Sequence, residues 1–138
     1  MELTDDERTN LREWFERGGF AVFDDFRGSD LTNLRYQMQE VFPERQMVRL
    51  DASEEIFHSF YDIDSIEMDP PYYDERFGGG SVEFWGMKDE SGRLMFIADQ
   101  NNDLGEFFEW VDKGEMPFQP AAKATRLAVN YLVYAMTH

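Results

Sequence analysis

Cysteine is absent from the 138 residues. That excludes disulfides, thiolate metal sites and any Cys nucleophile, and it leaves the redox compartment unmarked. Lysine is scarce: only Lys88, Lys113 and Lys123 stand beside ten arginines. The 13 basic residues face 29 acidic ones, a net charge of −16. A surface of that sign repels phosphate backbones and anionic lipid, so neither nucleic acid nor a membrane is expected as a partner. Long apolar runs are missing too. The longest, Leu127 to Met136, falls well short of the roughly 20 residues that span a bilayer. Met1-Glu2-Leu3-Thr4-Asp5-Asp6 has neither the basic start nor the apolar run of an export signal. The expectation is a soluble chain without a targeting signal of its own, its location open between cytoplasmic and exported, the latter if a longer parent carries a signal.

What is present is a single domain's worth of apolar residues, 42% of the chain and 16% aromatic. Thr4-Asp5-Asp6-Glu7 has capping-box spacing and predicts a helix from Asp5 to Arg17. Leu11, Trp14 and Phe15 form its buried face, and Gly18-Gly19 ends it. Phe20 to Phe23 is a continuous apolar run closed by Asp24-Asp25, the pattern of a strand covered on both faces in a parallel sheet. Leu31, Leu34, Met38 and Val41 mark a second helix stopped by Pro43, and Met47 to Leu50 is the next strand. Ser53 caps a short helix. Asp64 to Gly80 reads as an ordered flap, because Tyr61, Tyr72, Tyr73 and Phe77 give it packing residues, with Gly78-Gly79-Gly80 as a hinge. Val82 to Lys88 and Arg93 to Ala98 flank a turn and predict an antiparallel hairpin at a sheet edge. Ala121 to Thr137 reads as a helix buried against the sheet. The order implies an α/β sandwich with helices on both faces, over a sheet thin enough to require self-association or another part of a longer parent.

Several ordered blocks then carry a resemblance. Leu11-Arg12-Glu13-Trp14-Phe15, Gly18-Gly19-Phe20, Asp24-Asp25-Phe26, Ile56 to Asp62, Gly92-Arg93-Leu94, Asn101 to Gly105 and Val129 to Ala135 resemble an uncharacterised bacterial family, domain of unknown function four-one-five-nine. The resemblance implies a flavodoxin-like, class I glutamine-amidotransferase-like fold near the trehalose-utilisation proteins. It also implies that this chain, residues 1–138, is the C-terminal two thirds of the usual domain. Relatives carry a His-Pro pair where Glu54-Glu55 stand here, so the role of that first His does not transfer.

The candidate site residues follow from position and chemistry. Asp24 and Asp25 end the first strand, where ligands settle in open α/β sheets, so either is a candidate general base. The plainer role is a loop anchor or helix cap. An amidotransferase-like fold would put its nucleophile elbow here, and a carboxylate pair cannot perform thiolate attack. His58, among Phe57, Phe60 and Tyr61, is expected to be buried and neutral, as a core hydrogen-bonding residue or an assisting catalytic group. Asn101, Asn102 and Asp103 either cap a turn or join Asp24 or Asp25 in holding a small polar ligand, with Tyr61 and Trp110 as aromatic walls. No metal-binding spacing, phosphate loop or serine elbow is present, so no metal or other cofactor is expected, nor is glutaminase activity. The reading is a non-catalytic ligand-binding or protein-interaction domain; the alternative is a hydrolase or lyase acting on a carbohydrate-like ligand.

Overall fold

The computed structural model describes residues 2–70, 80–110 and 118–138. Helix α1 (Asp5–Glu16) begins at the expected capping box. The Glu7 N–H donates to Thr4 Oγ1 at 3.3 Å, and the Thr4 N–H donates to Glu7 Oε2 at 2.8 Å. It ends at Arg17, and Gly18 turns the chain with a φ of 97° that a side chain would oppose. Phe15 is fully buried. Trp14, placed on the same buried face by its spacing, is instead half-exposed and covers Gly19, where a Cβ would come within 2.4 Å of the indole.

The remaining elements are β1 (Ala21–Phe26), α2 (Asp30–Val41), β2 (Val48–Arg49), a 3-10 turn (Glu55–His58), β3 (Glu83–Lys88), β4 (Leu94–Gln100), α3 (Leu104–Trp110) and α4 (Phe118–Thr137). They form one mixed, open, four-stranded sheet in the order β1-β4-β3-β2. Only β1 and β4 are parallel; β3 runs antiparallel to both β4 and β2.

Three expectations about this sheet are corrected. The hairpin is its centre, not its edge, because every residue of β4 is buried. A strand apolar on both faces can satisfy both its edges only with neighbours on each side. The Met47–Leu50 strand is correspondingly short and antiparallel at the far edge, with Val48 and Arg49 exposed. At the other edge β1 is not covered on both faces, since Val22 is 45% exposed.

Helices lie on both faces. α1 and α2 close one core around Phe15, Leu34, Met38, Phe42 and Phe96. α3, α4 and the 3-10 turn close the other around Phe57, Ile97, Leu127 and Tyr131. α4 starts three residues earlier than its sequence pattern indicates, with Pro120 tolerated in its first turn. Its burial is one-sided: Ala121, Ala124, Leu127, Asn130, Tyr131 and Tyr134 face inward, while Leu132 and Met136 are exposed. Among the described residues no helix is long and apolar enough to cross a membrane. The flap expected over 64–80 lies outside the described residues from 71 to 79.

Candidate functional site

β1 and β4 are the parallel pair, so their carboxyl ends lie at the same edge of the sheet, and the chain is distorted there. Phe23 pairs with Ala98 and Phe26 with Gln100, so three steps along β1 match two along β4. The extra residue falls at Asp24-Asp25, with Asp25 in the left-handed region at φ 60°. This bulge re-aims the two aspartates that strict alternation would place on opposite faces. Asp24 Oδ2 accepts from the Gly105 N–H at 3.2 Å. Asp25 pairs with Arg27, whose guanidinium also reaches Asp103 Oδ2 at 3.4 Å.

The turn after β4 crosses the same edge. The Asn101 N–H donates to Phe26 O at 2.7 Å, and its Nδ2 donates to Ser81 O at 3.0 Å. Asn101 has φ 57°, and Gly80 passes so close that a Cβ there would come within 2.3 Å of the Asn101 amide nitrogen. Asp103 Oδ1 accepts from the Glu106 N–H at 2.9 Å and so caps α3. Burial pushes the Asp103 carboxyl up, and the charges of Asp25 and Asp24 add to that shift against the capping bond.

Asn102 is 1% exposed, and neither polar atom of its side chain has a hydrogen-bond partner among the described residues. Asp24 Oδ1 and Gln100 Oε1 are also buried and have no partner among the described residues. A buried polar atom left unpaired costs on the order of 1–3 kcal/mol, which makes this set the feature of the edge that most needs a physical account.

Beneath this edge lie two residues that the sequence reading missed. Asp99, on β4, is fully buried and accepts from the Tyr131 hydroxyl of α4, at 3.1 Å to Oδ1 and 3.2 Å to Oδ2. Burial, then the charge of Asp24, pushes the Asp99 carboxyl well above the usual carboxylate range, against the effect of the phenol bond. Burial and Asp99 raise the Tyr131 phenol in turn. The available signal was a lone carboxylate at the end of the apolar run Leu94-Met95-Phe96-Ile97-Ala98.

The structure thus brings Asp24, Asp25, Asn101, Asn102 and Asp103 to one sheet edge. His58 and Tyr61 are anchored elsewhere. His58 is not buried: its Nε2 lies 2.7 Å from Ala52 O, and its Nδ1 bonds Asp62. The Ala52 carbonyl first and Asp62 second raise its pKa, the reverse of the neutral core imidazole expected from its aromatic neighbours. Those aromatics leave it in water because Phe60 and Tyr61 are themselves exposed. Tyr61 is held at its backbone by Asn130, and Arg126 lies over its ring at 5.6 Å. Trp110 closes α3, but its side chain lies outside the described residues. A groove of about 580 Å³ between Asp62–Asp69 and the start of α4 is lined by charges of both signs, including Asp64, Glu67 and Lys123. Among the described residues no three His, Cys, Asp or Glu side chains are grouped to hold a metal ion.

Residues 1–136 match the family model described as Domain of unknown function (DUF4159). The chain belongs to this family. The match runs through every element of the sheet, so the Asp24–Asp103 edge is part of the DUF4159 domain itself. Among curated proteins none matches the sequence.

Proposed function

We propose that this DUF4159 chain is a non-catalytic ligand-binding domain that takes a small, neutral, hydroxyl-rich molecule at the carboxyl edge of β1 and β4. The observation that carries this reading is the buried, unpartnered Asn102 amide, with Asp24 Oδ1 as a further unpaired acceptor. A hydroxyl group donates to a carboxylate or amide oxygen and accepts from an amide N–H, so a polyol or sugar can satisfy all three atoms. Asp25 and Asp103 pair with Arg27, and these carboxylates together with Asp24 disfavour an anionic ligand. A flavodoxin-like, amidotransferase-like architecture belongs to the same reading, since such folds bind ligands at the carboxyl ends of parallel strands.

Saturation-transfer NMR with a panel of monosaccharides and polyols tests it. At least one member is expected to bind, with affinity falling about tenfold or more in Asn102→Ala and unchanged in His58→Gln. No binding across the panel, or binding indifferent to Asn102, overturns it.

A second reading, a hydrolase or lyase acting on a carbohydrate-like ligand, is favoured by the Asp24 and Asp99 pair. Burial, then Asp24, pushes the Asp99 carboxyl up toward its protonated form, and a carboxyl held in that form beside a second one can divide acid and base roles with it. Product release in the same samples, abolished by Asp24→Asn, would select this reading over simple binding.

A further inference from the structure

Both ring nitrogens of His58 face groups that only accept hydrogen bonds. Nε2 lies 2.7 Å from the Ala52 carbonyl, and Nδ1 meets the Asp62 carboxylate. A neutral imidazole has one N–H and one lone pair, so it satisfies one of these acceptors and repels the other. The form that fits both is the doubly protonated imidazolium.

The chain is arranged to present the two acceptors together. Ile56 and Phe57 are fully buried and pin the Glu55–His58 turn to the core, with Phe57 edge-on to Phe84 of β3. Asn130 of α4 accepts from the Phe60 and Tyr61 N–H groups, and the Ile63 N–H donates back to Phe57 O at 3.1 Å. The backbone therefore doubles back over residues 58–62 and returns Asp62 to Nδ1. The Ala52 carbonyl first, then Asp62 and Asp64, favour the protonated ring. The other charged groups around the turn are engaged with different partners. Glu55 meets His138 of α4 at 3.0 Å, and Glu54 holds Lys88 of β3 at 2.7 Å. Arg126 of α4 lies over Tyr61, and Asp51 accepts from the Ser53 N–H.

We infer that His58 is a pH-operated clamp: with both protons it ties the Glu55–His58 turn to Ala52 behind it and Asp62 ahead of it, and loss of one proton releases Asp62. Asp62 is the group that leaves, because its side chain is 78% exposed and free to turn into water. The Ala52 carbonyl is fixed in a turn that the Glu54 N–H closes on Asp51 O at 3.2 Å. Asp62 also begins the wall of the Asp62–Asp69 groove, so its release frees a carboxylate there. The folded ring holds its proton above the ordinary value of 6.5, so the clamp is fully closed below that pH and opens as pH rises through the folded-state value. It takes no part in the Asp24–Asp103 edge.

Heteronuclear NMR of the imidazole rings in the full chain tests it, with His138→Gln assigning the signals. His58 is expected to show two protonated nitrogens at pH 6.5 and to lose one at a midpoint above that value, which Asp62→Asn lowers. Hydrogen exchange of the Ile63 amide, corrected for its intrinsic rate, is expected to accelerate as pH passes the same midpoint, and His58→Gln removes this step. A midpoint at or below 6.5, or one indifferent to Asp62→Asn, would overturn the inference. So would Ile63 exchange that shows no step, or keeps it in His58→Gln.

Discussion

Asp99 has the Tyr131 hydroxyl as its hydrogen-bond partner and no exposure to water. Its carboxyl is pushed up from an ordinary value of 3.8 by burial and then by Asp24, so the folded chain keeps a proton that the unfolded chain releases. The stability tied to that proton is fully present below about pH 4 and is lost as pH rises toward the folded-state value. Each unit of upward displacement costs about 1.4 kcal/mol once the unfolded carboxyl has ionised. Asp99→Asn cannot ionise and keeps the shape. Urea unfolding across a pH series should show the variant as stable as the native chain near pH 4 and more stable near pH 7. Parallel curves would mean that Asp99 ionises normally. Asn130 shows how much a single polar residue can organise, since its amide accepts from the Phe60 and Tyr61 N–H groups and donates to Tyr61 O at 2.9 Å. In the sequence it is only an interruption in an apolar helix.

At the scale of elements, Arg93 joins the central hairpin to the end of α1. Its Nε bonds Asp89 at 2.9 Å across the hairpin turn, while Nη1 and Nη2 donate to Gly19 O at 3.1 Å and Phe15 O at 2.9 Å. The Phe15 carbonyl belongs to the last turn of α1, which has no basic residue of its own, so a guanidinium there complements the helix dipole. The side chain is 12% exposed, and hydrogen bonds from a charged, mostly buried donor contribute about 1.5–3 kcal/mol. Arg93→Met is therefore expected to lower unfolding free energy by about 2 kcal/mol, measured by urea denaturation. A loss below about 0.5 kcal/mol, the range of ordinary surface substitutions, would show that the clamp is ornamental.

For the whole molecule, charge is the dominant feature. Several surface pairs, such as Arg12 with Glu44 at 2.7 Å and Arg17 with Glu13 at 3.1 Å, are at least one-third exposed on both partners. Each contributes little. Against them stands a self-repulsion set by 29 acidic and 13 basic residues. Salt weakens both, and the net repulsion is the larger effect. Thermal unfolding should therefore rise with added salt by about 1 kcal/mol, or roughly 3–6 °C. A melting temperature that falls with salt would show that attractive pairs outweigh repulsion.

What the sequence determined by itself lies within a few residues of its cause. The Thr4–Glu7 capping box, the left-handed Gly18 and the inward face of α2 arise from contacts three or four positions apart, and such contacts are written as spacing. Asp24 and Asp25 were legible as a candidate edge because carboxylates that close an apolar run mark a strand end, and Asp103 because it follows the second hairpin strand. The tertiary structure alone decided which strands are neighbours. β4 reads as the second half of a hairpin and becomes the centre of the sheet only because β1, more than seventy residues earlier, pairs along its other side. That pairing buries Asp99 beside Asp24 and leaves Asn102 without a partner, while His58 turns outward to Ala52 and Asp62. An apolar run specifies that it will be covered but not by what, and the pKa of a carboxyl depends on the cover.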